Sequence, residues 1–150
     1  MIKKNKLNDR ILQELKYNGR ISNAELADKI GLSPSACLRR VQELENNGTI
    51  KGYRAILDNE LLGQGFIAYV TVGLGEHTKG SQEAFEQAII KANEVKECHN
   101  VTGAFEYILR VETRDLKTYK TFHTDVLGTL PQVSTISTHV VMESAKDERA

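Results

Sequence analysis

The side chains best placed to do chemistry are two adjacent arginines, Arg39 and Arg40, one helical turn beyond Ser33-Pro34-Ser35-Ala36. A guanidinium forks onto a guanine edge or onto a backbone phosphate, and sequence alone leaves both open. Short hydroxyl and methyl groups at a helix tip let that helix come close to a duplex, and its free amides offer an anion site. The remaining constellations lack the setting their chemistry needs. Gly63-Gln64-Gly65-Phe66-Ile67-Ala68 spells the dinucleotide fingerprint, but that site requires a strand before the glycines and a helix after them, and here a strand follows. Cys98-His99, His77, His123 and His139 form no Cys-x-x-Cys or His-x-x-x-His pair, and neighbours on a strand face opposite ways. No paired carboxylates, nucleophile elbow or phosphate loop is present. No metal and no enzymatic cofactor are expected.

The arginines need a scaffold, and the first 54 residues supply one. Leu7, Ile11, Leu12 and Leu15 recur at helical spacing up to Asn18-Gly19. Ser22-Asn23-Ala24-Glu25 fits a capping box opening a short helix with Leu26, Ala27 and Ile30 inward and Gly31 as its left-handed stop. Ser33 then caps a third helix with Pro34 in its first turn. Cys37, Leu38, Val41 and Leu44 are expected inward, leaving Ser35, Ala36, Arg39, Arg40 and Glu43 outward. Two short helices joined by a glycine turn over a third make a helix-turn-helix, whose second helix enters the major groove. Residues 49–57 alternate like a wing or hinge strand, with Lys51 and Arg54 near the flanking phosphates.

The second part reads as strand, helix, two strands, helix and strand. Phe66–Val72 is the first strand, and Ser81 is expected to cap a helix facing inward through Phe85, Ile89, Ala92 and Val95. Strands follow at 98–102 and 105–112. Asp115 caps a helix with Leu116, Tyr119, Phe122, Val126 and Leu130 inward, and a last strand covers 133–142 with Ile136, Thr138, Val140 and Met142 on one face. The fold class is therefore α+β: a winged helix-turn-helix over 1–54, a linker over 55–65 and a ferredoxin-like βαββαβ domain over 66–150. Tyr69, His99, Val101, Ile108 and Val141 are expected on a sheet face without cover, which predicts a homodimer.

Composition agrees with a soluble globular protein. Of 150 residues 40% are apolar and 27% charged, and 20 basic side chains balance 20 acidic ones. That neutrality hides a division: residues 1–54 carry eleven basic and six acidic side chains, a formal +5, against −5 for the rest. Such asymmetry suits a basic head meeting a polyanion. No apolar run reaches the roughly 20 residues that span a bilayer, the basic start lacks the apolar stretch of a signal peptide, and two cysteines suit a reducing cytoplasm.

Leu32-Ser33, Arg40-Val41, Leu44-Glu45, Gly48 and Ile50-Lys51-Gly52-Tyr53 resemble the helix-turn-helix and hinge of the Lrp/AsnC (leucine-responsive/asparagine-type) transcriptional regulators. Glu97 to Gly103, Tyr107-Ile108-Leu109, Leu130-Pro131 and Val140 to Glu143 resemble that family's effector domain. The resemblance implies a bacterial or archaeal regulator that binds double-stranded DNA, dimerises, builds octamers of four dimers, and senses an amino acid at the contact between dimers. With the reading of the third helix and hinge above, the DNA contacts are expected on Ser33, Ser35, Ala36, Arg39, Arg40, Lys51 and Arg54. The family's V-x-G-x-x-D turn reads Val101-Thr102-Gly103-Ala104-Phe105-Glu106 here. Gly103 would admit a ligand carboxylate, Glu106 stands where an Asp meets the ligand amine, and Ala104 stands where leucine-responsive members carry an acid. Leu116, Tyr119, His139, Val140 and Val141 are implied to line or adjoin the pocket. Two other readings share the layout: a sirohaem-decarboxylase-like enzyme, and a DNA-coating protein without an effector.

Overall fold

The computed structural model describes residues 5–149; Lys3 and Lys4, counted in the basic head, and the outer domain limits 1 and 150 lie outside the described residues. The chain divides into two compact units, 1–55 and 56–150. No helix among the described residues is long and apolar enough to cross a membrane.

The first unit holds α1 (Lys6–Tyr17), α2 (Asn23–Ile30) and α3 (Pro34–Asn46). Each starts where a side chain can replace a missing helical acceptor. Asn5 caps α1, Ser22 accepts from the amide of Glu25, and Ser33 from that of Ala36. Gly31 ends α2 at φ +80°, a conformation that disfavours any Cβ. The core is small: Ile11, Leu26, Ala27, Ile30, Cys37 and Leu44 are buried, with Leu7, Leu12, Leu15 and Val41 packed around them. Burial raises the Cys37 thiol above its usual pKa. Two expectations fail here. Leu38 does not join this core but stands 46% exposed. No strand forms between Asn47 and Gly65, because an alternating segment becomes a strand only when another backbone takes up its hydrogen bonds.

The second unit runs β1 (Phe66–Leu74), α4 (Lys79–Ile90), β2 (Val95–Asn100), β3 (Tyr107–Thr113), α5 (Leu116–Asp125) and β4 (Val133–Val140). The antiparallel sheet has the order β2-β3-β1-β4, and both helices pack on one face. Ala68, Val70 and Val72 of β1 and Tyr107, Leu109 and Val111 of β3 meet Phe85, Ile89, Tyr119 and Phe122 there. Rings pack at a tilt within this layer, with Phe85 and Tyr107 centroids 4.6 Å apart. Since β1 follows Gly63-Gln64-Gly65 directly, the glycine pattern precedes a strand, as the dinucleotide chemistry forbids.

Several boundaries differ from those expected. Thr78, not Ser81, caps α4; its hydroxyl accepts from the Ser81 amide, because a cap sits three residues before the amide it serves. Strand β2 starts at Val95, Leu116 at the tip of α5 is exposed, and β4 stops at Val140, leaving Met142 in solvent.

The opposite sheet face is neither bare nor purely apolar. Tyr69 and Ile108 lie there, half-buried beside a polar network. Arg110 Nε donates to Glu112 Oε2 at 3.0 Å, its Nη1 to the Tyr69 hydroxyl at 3.0 Å, and Asn59 donates to Glu112 Oε1 at 3.0 Å. Burial works against the Arg110 charge, yet the contacts with Tyr69 and Glu112 outweigh it and raise its pKa. The chain's own last residues also reach this face. Arg149 Nη1 sits 2.8 Å from Glu97 Oε2 of β2, and residues 143–149 wall a recess with Tyr69 and Val141. The tail thus starts beside the edge strand β4 and ends on the opposite edge strand β2.

Candidate nucleic-acid interface and effector site

Helix α3 carries the first candidate surface. Its start is pinned twice: by Ser33 at the cap, and by Asn23 Nδ2, which donates to the Pro34 carbonyl at 2.8 Å. Arg10 locks the preceding turn by donating to the carbonyls of Lys29 (2.8 Å) and Ile30 (3.3 Å). These bonds fix the angle between α2 and α3, which is what a helix-turn-helix must hold rigid.

The buried stripe of α3 is Cys37 and Leu44, with Ala36, Arg40 and Val41 half-buried beside it. Ser35, Leu38, Arg39, Gln42 and Glu43 are exposed. The two arginines therefore take different places. Arg39 projects outward, whereas Arg40 Nη1 donates to Asn8 Oδ1 of α1 at 3.1 Å. Ala36 is half-buried and Ser33 is occupied as a cap, so Ser35, exposed and with its hydroxyl 3.4 Å from Ser33 Oγ, offers the tip's outward hydroxyl. Lys51 and Arg54 are exposed. Between them the Tyr53 hydroxyl donates to Glu45 Oε1 at 2.9 Å, and burial together with that carboxylate pushes its pKa up to about 12. The roles of Asn8, Asn23 and Gln42 in holding or extending this surface are not part of the sequence expectation. The first two act across long sequence separations, which no local pattern announces; Gln42 was legible as the residue four after Leu38, had Leu38 been read as outward.

The second candidate surface is the turn between β2 and β3. Val101 N donates to the Glu106 carbonyl at 2.8 Å and closes the loop, and Gly103 adopts φ +116°. Thr102, Gly103 and Ala104 are exposed and Phe105 half-buried. Glu106 turns back onto its own chain: Oε2 accepts from the Leu74 amide at 2.7 Å and Oε1 lies 3.1 Å from His77 Nδ1. Its side chain is 14% exposed against 74% for His77. Gly73 lets β4 come close at this end of the sheet, since a Cβ there would fall 2.2 Å from Thr135 Oγ1. Near the same end, Gln132 accepts the Gly75 amide through its carbonyl, while its side-chain Oε1 is buried without a partner.

The other five candidates lie elsewhere. Leu116, Tyr119, His139, Val140 and Val141 sit where β1 begins, and the turn sits where β1 ends. The β4 candidates pair along Ile67–Tyr69 and Glu106 bonds to Val72 and Leu74, so three to seven strand residues, about 10–23 Å, lie between the groups. Tyr119 is moreover buried, its hydroxyl bonded to Thr138 Oγ1. One chain does not bring the ten residues together.

Comparison with known proteins adds identity to this geometry. Residues 67–150 match the model of the Lrp/AsnC ligand binding domain, and residues 5–51 match a winged helix-turn-helix DNA-binding model. The leucine-responsive regulatory proteins of Klebsiella pneumoniae and Escherichia coli (strain K12) are each 40% identical over 136 residues, covering 91% of this chain and 83% of theirs. Among solved structures, a transcriptional regulator from Neisseria meningitidis in complex with L-Met superposes with a TM-score of 0.92 at 33% identity, covering 96% of this chain and 93% of that one. An AsnC family transcriptional regulator from Agrobacterium tumefaciens gives 0.90 at 27% identity, covering 96% and 94%.

Proposed function

The chain belongs to the Lrp/AsnC family of DNA-binding transcriptional regulators with an effector-binding domain, and on that premise we propose that its effector is an amino acid held between subunits. The observation that carries this reading is the separation of the ten candidate residues into two groups at opposite ends of the sheet. A pocket drawing on both groups needs a second copy of the chain. A turn with an accessible glycine and a recessed carboxylate suits the two ends of a zwitterion: amides near Gly103 for the carboxylate, Glu106 Oε1 for the ammonium. The ammonium would displace His77, which is mostly in solvent. The L-Met bound by the Neisseria regulator supports the ligand class.

Self-association is proposed through the sheet face that carries Tyr69 and Ile108. An effector seated at a contact between copies changes DNA affinity only through unequal affinity for the alternative assemblies. On the DNA side, Ser35 and Arg39 are proposed to meet the duplex through α3, and Lys51 and Arg54 to meet flanking phosphates.

Titration calorimetry against the twenty amino acids tests the effector. Glu106→Gln keeps an acceptor for the Leu74 amide but loses the charge, so it is expected to lose ligand affinity tenfold or more while retaining specific DNA binding. Unchanged ligand affinity in that variant would overturn the assignment of Glu106.

A further inference from the structure

We propose that Leu38 is a methyl-reading residue, packing against the C5 methyl of a thymine in the major groove, with Gln42 one turn on addressing an adenine edge. The proposal deepens the DNA-binding reading of α3 and rests on it.

An apolar residue at an α3 position next to buried Cys37 is ordinarily core. Leu38 is not: it stays 46% exposed, and the half-buried residues that complete this unit's core do not include it. It shares the outward side of the helix with Ser35, Arg39 and Gln42, while Arg40 is held by Asn8. Along the stripe Ser35, Leu38, Arg39 and Gln42, α3 thus presents one hydroxyl, one branched hydrocarbon, one guanidinium and one carboxamide, with the exposed Glu43 carboxylate one turn beyond Arg39 at its margin. Of the groups that base pairs expose in the major groove, the thymine methyl is the apolar one, and the paired donor and acceptor of a glutamine match adenine N6 and N7. Four residues of helix advance about 6 Å, less than two base steps of roughly 3.4 Å, so Leu38 and Gln42 address neighbouring bases.

The test uses the full chain. Duplexes are selected from a random pool at moderate salt, and the best is resynthesised with deoxyuridine for each thymine in turn, which removes only the methyl. At one or more positions uracil is expected to weaken wild-type binding about fourfold, the factor expected for one buried methyl-sized group. Leu38→Ala is expected to show that loss already on thymine DNA and no further loss on uracil DNA. Leu38→Met, which keeps an apolar reach, should retain the uracil penalty, and unchanged thermal melting of both variants establishes that they fold. Enrichment of no sequence by the wild type would bring down the DNA-binding reading and this assignment together. A clear selected sequence on which Leu38→Ala pays the same uracil penalty as the wild type would overturn the role of Leu38 alone.

Discussion

Alanine substitutions at Arg39 and Arg40 separate recognition from support, since one side chain projects from α3 and the other is drawn back to Asn8. If Arg39 reads a base, Arg39→Ala costs about 1–3 kcal/mol of operator binding and relaxes sequence preference; if it meets phosphate, the loss is uniform across sequences and the salt slope flattens. Competition binding at several salt concentrations tells these apart. Arg40→Ala is expected instead to lower the melting temperature of the chain, by losing a hydrogen bond of about 1 kcal/mol, and to leave sequence preference intact. The pair was legible as a basic motif, but its division was not. Which of two adjacent arginines turns inward depends on Asn8, thirty-two residues away in sequence. The same holds for Glu106, whose type was plain while its bonds to Leu74 and His77 depend on a turn from another strand.

Helix ends were the most legible elements, because a cap is written within four residues. Ser22, Gly31, Ser33-Pro34 and Asp115 all act where their spacing placed them. Their contributions are correspondingly local. Ser33→Ala is expected to cost about 1 kcal/mol by leaving the Ala36 amide without its acceptor, and Gly31→Ala about 1 kcal/mol through its positive φ, although no neighbouring atom would be hit. Chemical denaturation of each variant measures both. Elements that depend on a distant partner were misread. The hinge alternates like a strand, yet among the described residues no strand pairs with it. Leu38 and Leu116 were assigned inward by periodicity, but a stripe defined by spacing has soft edges, and whether its margin is covered depends on what packs opposite.

At the scale of the whole molecule, each unit has a core of its own, and the larger one rests on the aromatic layer under the sheet. Phe85 is fully buried against Tyr107, so Phe85→Ala is expected to destabilise its unit by about 3–5 kcal/mol in thermal unfolding. The outer face is governed by charge. Burial pushes the Glu97 carboxyl up, but Arg149 and His99 outweigh it and hold its pKa below the usual carboxylate value. A depressed pKa means that this contact contributes at and above the ordinary carboxylate range and is lost as pH falls through the lower folded value. Amide exchange of residues 146–149 followed through an acid titration should rise in that window, and in Glu97→Gln it should be high at neutral pH already. None of this was visible in the sequence, because Glu97 and Arg149 lie far apart along the chain. The placement of residues 143–149 has a consequence for that sheet: charged side chains of the same chain cover part of its outer face, so weakening the contact of Arg149 with Glu97 bares Tyr69.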